Sequence, residues 1–209
     1  MQDRSFTPTD RHESVLATLR AATASAHAGV EALPAMVRLT SPAVCLADYR
    51  RYLAALAPLY GALEPALYAA LGQHLPPGHR ADLGLRPKLP TLHRELASYG
   101  LTVPMPPPDP PPPSLSAAVG GLYVLEGATL GGRVVARHLR RYLGVALQAG
   151  GLLDFHGDDA SAAWKRFGGL LDALAADGLI ATGPASDAAL DTFGRVQRAL
   201  AAIDHAGCP

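Results

Sequence analysis

Apolar residues recur at spacings of three and four along most of this chain. In SVLATLRAATASAHAGVEAL, residues 14–33, positions Leu16, Leu19, Thr23, His27 and Val30 fall on one helical face. Ser14 carries the short side-chain oxygen that caps a helix start, and Pro34 forces a stop. Residues 42–71 repeat the pattern with Tyr49, Tyr52, Leu53, Leu56, Tyr60, Leu63 and Leu67, and Pro58 and Pro65 predict a kink or a division there. A Pro/Gly-punctuated loop covers 75–90, and a short helix spans Thr91 to Tyr99, with Gly100 as its C-terminal cap. Ser114 caps a long helix that runs to Leu143, and further helices cover 160–176 and 186–203. No alternating β-branched run suggests a sheet, so the expected fold is all-α: a single-domain, multi-helix bundle over residues 14–205, behind a flexible N-terminus at 1–13. The run PMPPPDPPPP at 104–113 reads as an extended surface loop crossing that domain.

One stretch strains this picture. GGLYVLEGATLGGRVVARH, residues 120–138, is apolar enough for a buried helix yet holds Gly120, Gly121, Gly127, Gly131 and Gly132. At about 1 kcal/mol each, five interior glycines weaken a helix by about 5 kcal/mol. Gly120, Gly127 and Gly131 share one face, and Gly121, Ala128 and Gly132 form the adjoining stripe. Such a bare surface suits either close packing of a neighbouring helix or a flat ligand lying against the backbone. A phosphate loop does not fit, because no lysine follows the glycines and no strand precedes them.

Composition narrows the function classes. The chain has 209 residues, 49% hydrophobic and 17% charged, with a net charge of zero, so it can bury a large core and shows no electrostatic footprint for nucleic acid. Two cysteines, Cys45 and Cys208, make no disulfide framework and are compatible with a reducing cytoplasm. The polar N-terminus is no secretory signal, and the most membrane-like window, 115–135, carries Glu126 and Arg133, which argues against a span.

Among the eight histidines, His27 has the most suggestive setting. Glu31 lies one turn on, where a carboxylate can orient an imidazole and strengthen it as a ligand; Arg20 lies two turns back. His138 sits in the cationic stretch RVVARHLRRY, which reads as solvated, and His156 lies in a DFHGDD turn. With no HExxH, no CxxC and no second histidine at ligand spacing, a metal here would arrive largely pre-ligated, as in a haem needing one axial imidazole.

These residues together resemble the haem oxygenase family. The opening pattern Leu-Arg-x-x-Thr-x-x-x-His-x-x-x-Glu is met by Leu19, Arg20, Thr23, His27 and Glu31, and the distal Gly-x-x-x-Gly-Gly by Gly127, Gly131 and Gly132. YVLEGATLGG is similar to the bacterial branch associated with bacteriophytochromes, and DFHGDDASAAWKRF resembles the segment before the family's later helices. The resemblance implies oxidative cleavage of haem to biliverdin with release of iron and carbon monoxide, haem being substrate and cofactor. It implies His27 as proximal iron ligand, Glu31 as its hydrogen-bond partner, and Gly127, Gly131 and Gly132 as the close-approaching distal segment. Arg20 and Lys165 would pair with propionates, Thr23 and Ala128 would line the site, and Tyr123 is a propionate or pocket residue or a packed aromatic. Many relatives carry an aspartate where Ala128 stands and a serine where Leu130 stands; Glu126 is either a substitute for that aspartate or a salt-bridging residue. With no flavin, nicotinamide or iron–sulfur signature, electrons must come from an external donor such as a ferredoxin or reductase. Arg133, Arg137, Arg140 and Arg141 could attract such an acidic partner or form a solvated helix face. A bacteriophytochrome is the implied recipient of biliverdin, and O2 the co-substrate. The rival reading is a haem carrier or sensor without turnover; a thiaminase-like or di-iron helical enzyme lacks its pocket cysteine or Glu-x-x-His pairs.

Overall fold

A computed structural model describes residues 14–80, 84–147 and 151–203. The expected flexible segment 1–13 and Cys208 lie outside the described residues. Eight α-helices follow one another among them: α1 (Val15–Glu31), α2 (Pro34–Leu39), α3 (Leu46–His74), α4 (Pro77–Arg80), α5 (Leu89–Ser98), α6 (Leu115–Leu143), α7 (Ala160–Ala176) and α8 (Thr182–Ala201). No strand occurs among the described residues, so the all-α expectation holds.

The helix starts follow the local chemistry. Ser14 Oγ accepts from Ala17 N at 3.2 Å and Ser114 Oγ from Ala117 N at 3.2 Å, each satisfying a first-turn donor with no helical partner. Pro34 does more than stop α1: it opens α2, where its fixed φ and missing N–H cost nothing. Of the kink or division expected at its prolines, α3 excludes the division. Pro58 and Pro65 remove the donors to the Ala54 and Gly61 carbonyls, yet the helix is continuous, because its apolar residues from Tyr49 to Leu71 are buried on several sides. α3 is also long and apolar enough to cross a membrane, but 67% of its most apolar window is buried inside the fold. Residues 101–113 run beside it: Met105 packs on Gly61, and Asp109 donates its N–H to the Ala62 carbonyl at 2.9 Å and pairs with Arg195 at 2.6 Å.

Cys45, which precedes α3, is disulfide-bonded. Disulfides are uncommon in reducing compartments, so cysteine content no longer speaks for the cytoplasm.

α8 is the axis on which the site is built. α1 and α6 both pack along α8 rather than on each other. Ser116 Oγ accepts from Ala181 N at 3.0 Å, and Gly120 lies against the Ala185 backbone one turn further on, so α6 and α8 advance in the same sense. His27 meets the Phe193 ring edge-on at 5.9 Å, and Gly29 lies beside Gln197, so α1 advances along α8 in that sense too. α1 and α6 therefore run parallel, side by side along α8.

Candidate haem site

A polar contact bridges α1 and α6. The Thr23 hydroxyl, itself donating to the Leu19 carbonyl at 2.7 Å, lies 3.3 Å from the Tyr123 hydroxyl, and both residues are buried. One turn beyond it stand His27 on α1 and Gly127 on α6. Trp164 of α7 closes one side: its ring lies 5.7 Å from that of Tyr123, and its edge would be 3.5 Å from a Cβ added at Gly127.

His27 is 59% exposed, and its Nδ1 lies 3.5 Å from Glu31 Oε2. A proton on Nδ1 shared with that carboxylate leaves the Nε2 lone pair free to bind a metal. No group of three or more histidine, cysteine or acidic residues arranged to hold an ion exists among the described residues, so an iron here must bring its other ligands with it.

The glycines divide between the two uses the sequence left open. Gly120 abuts the Ala185 carbonyl, Gly121 the Leu67 side chain, and Gly132 the Leu153 carbonyl; a Cβ at any of the three would overlap its neighbour. Gly131 is exposed, with nothing within 4 Å of its Cβ position, and Gly127 faces only Trp164. Three glycines thus let elements approach, and two leave a bare surface on α6. That surface and the accessible imidazole fit a flat, metal-centred ligand.

The remaining expected residues are placed less tightly. Arg20, on α1, and Lys165, beside Trp164 on α7, are exposed and make no ion pair among the described residues. Ala128 is exposed on α6 and carries no acidic group. Glu126 is salt-bridging: its carboxylate accepts from Lys88 Nζ at 2.5 Å and lies 3.1 Å from His156 Nε2, all three side chains being buried. Burial acts to raise its pKa, but the His156 hydrogen bond and the Lys88 ammonium outweigh it and hold the carboxyl below its ordinary range. Glu64 of α3 completes the cluster by accepting from the Lys88 and Leu89 N–H groups at 2.7 Å each; burial there prevails and raises its pKa.

Lys88 and His156 were not singled out by the sequence. Lys88 lies in the Pro/Gly-punctuated stretch read as a loop, and His156 in the DFHGDD turn. His138, expected in solvent, is half-buried, with Nε2 2.9 Å from the Ser41 carbonyl. Of the arginine run, Arg133 lies 2.7 Å from Asp158 and 3.2 Å from Asp154, and Arg140 lies 2.7 Å from Asp154; Arg137 and Arg141 stay exposed.

This arrangement is the fold of haem oxygenases. The chain is similar in structure to the NO- and CO-bound haem oxygenase from Neisseria meningitidis, with a TM-score of 0.67 at 20% identity over 90% of each chain. It is also similar to the haem complex of haem oxygenase-1 from the cyanobacterium Synechocystis, with a TM-score of 0.64 at 16% identity over 90% of this chain and 91% of that one. No family model and no curated protein sequence matches.

Proposed function

We propose that this protein is a haem oxygenase in which His27 would hold the haem iron and the Gly127–Gly131 surface would border the bound haem. The observation that carries this reading is the placement of His27 and Gly127 one turn beyond the same Thr23–Tyr123 contact, in a fold shared with haem oxygenases. Haem, when bound, is both the substrate and the oxygen-activating group, and its cleavage yields biliverdin, iron and carbon monoxide.

The chain's own residues bind, orient and shield. His27 would hold the iron, and Glu31, 3.5 Å from its Nδ1, would orient the imidazole. Arg20 and Lys165 would pair with the propionates. Gly127 and Gly131 would let backbone rather than side chains border the bound haem. Neither Ala128, which has no acidic group, nor Glu126, engaged with Lys88 and His156, would supply a proton there. Electrons come from an external ferredoxin or reductase, for which Arg137 and Arg141 remain available, and a bacteriophytochrome of the associated branch is the proposed recipient of the product.

A haem carrier or sensor without turnover is the second reading, and Ala128 is the observation that favours it. Haemin titration of wild type and His27→Ala tests the binding step: wild type should give a saturable, histidine-ligated Soret spectrum that the variant loses. Equal spectra for the two would remove His27 from the reading.

A further inference from the structure

From Glu126 to Val134, α6 buries no large apolar side chain. Its buried positions there are Glu126, Thr129 and Gly132, a seam along the back of the helix, whereas Leu130 and Val134 are exposed. Before this stretch Leu122, Val124 and Leu125 anchor the helix in the core, and after it Val135, Ala136 and Leu139 do so. Within it, Thr129 donates only to the Glu126 carbonyl of its own helix, at 2.7 Å. Gly132 contributes backbone contact with Leu153. Arg133, near the end of the stretch, pairs with Asp154 and Asp158 from a partly exposed position. Glu126 is the buried side chain that ties the glycine segment to other elements, and it does so twice: to Lys88 at the head of α5 and to His156 in the turn before α7.

Both partners are themselves fixed. Lys88 and Leu89 donate their N–H groups to Glu64 in the middle of α3, and the Lys88 ammonium lies 5.0 Å from the Phe155 ring centroid. The His156 turn is held from its other end, where Leu152 N donates to buried Glu95 at 2.9 Å. The clamp lies behind the helix, about 100° around from Gly127, and so constrains the bare face without covering it.

We infer that Glu126 is a positioning residue: with Lys88 and His156 it sets the place and rigidity of the glycine segment 127–131 that borders the ligand. A segment with two exposed or half-exposed glycines and no buried apolar anchor has little stiffness of its own, and a buried, doubly bonded carboxylate supplies a fixed geometry. The part of this inference that concerns bound haem rests on the function proposed above; the part that concerns segment rigidity does not.

The test uses the full chain with Glu126→Gln and with the double variant Lys88→Met/Glu126→Leu, which replaces the buried pair by apolar groups and keeps the protein folded if the single variant is not. Hydrogen exchange on haem-free protein should accelerate about tenfold at residues 127–131 in both, with the amides of α1 and α8 unchanged. In the ferrous haem–CO protein, the C–O stretching band should shift or split, while the iron–histidine stretch set by His27 stays put. A role confined to general stability would speed exchange throughout the chain and leave the C–O band single and unmoved, and either result in the folded double variant overturns the inference. Failure of wild type to bind haem overturns the proposed function, and the exchange experiment then decides the positioning role by itself.

Discussion

The hydroxyls of Thr23 and Tyr123 lie 3.3 Å apart and form the polar bridge between two parallel helices that otherwise pack on α8. Because Thr23 already bonds the Leu19 carbonyl, the bridge can be cut from the Tyr123 side without orphaning the threonine. Tyr123→Phe should cost about 0.5–1.5 kcal/mol of stability by denaturant unfolding. A double-mutant cycle with Thr23→Val should return a coupling of about 0.5–1 kcal/mol. A coupling of zero would mean that the two hydroxyls do not interact.

Adjacent glycines should respond with opposite sign. Gly131→Ala places a methyl in open space on a helix and should raise stability by up to about 1 kcal/mol. Gly132→Ala drives its methyl into the Leu153 carbonyl and should lower stability by about 1–3 kcal/mol. Thermal melts of the two variants decide this; equal shifts would contradict the division of the glycine stripe into a bare and a packed half.

The Glu126 carboxyl has a pKa held below its ordinary value, so folding favours its ionised form. The stability it contributes is in full above the ordinary carboxylate range and is lost as pH falls through that range to the lower folded-state pKa. Glu64, whose pKa is raised, acts in the opposite sense, so the informative quantity is the difference between wild type and Glu126→Gln. At neutral pH the variant leaves a buried ammonium with a weakened partner and should be less stable by about 3–5 kcal/mol. That difference should shrink as the solution is acidified; a difference constant from pH 7 to about pH 3 would place no depressed titration at Glu126.

Glu31 should act through His27. Glu31→Gln keeps the side-chain shape but gives up the carboxylate that shares the Nδ1 proton, so haem affinity should fall about 10–100-fold and the iron–histidine stretch should move to lower frequency. An unchanged frequency would separate Glu31 from the imidazole in the bound state.

Much of this was legible in the chain because it is written in local chemistry. Ser14 and Ser114 announce their helices, and the three- and four-residue spacings give α1 and α3 their places. The His27–Glu31 pair is visible for the same reason: residues four apart on a helix are neighbours whatever surrounds them. At the prolines of α3 the sequence left kink and division open, because the cost of a lost helical bond is local, whereas the burial that keeps the helix continuous is tertiary. Lys88 and His156 escaped for a related reason. Their meaning lies wholly in Glu126, 38 and 30 residues away, and nothing in a loop lysine or a turn histidine foretells burial beside a carboxylate. The arginines of α6 were read as one face, but Asp154 and Asp158 claim Arg133 and Arg140 through a turn whose approach depends on Gly132.

The most direct test of the central claim is aerobic turnover of the purified protein loaded with one equivalent of haem and supplied with a reductant. The account predicts loss of the Soret band with matching appearance of biliverdin, identified by mass and chromatographic isomer, and of carbon monoxide, all abolished in His27→Ala. Bleaching of the Soret band with neither biliverdin nor carbon monoxide would contradict it.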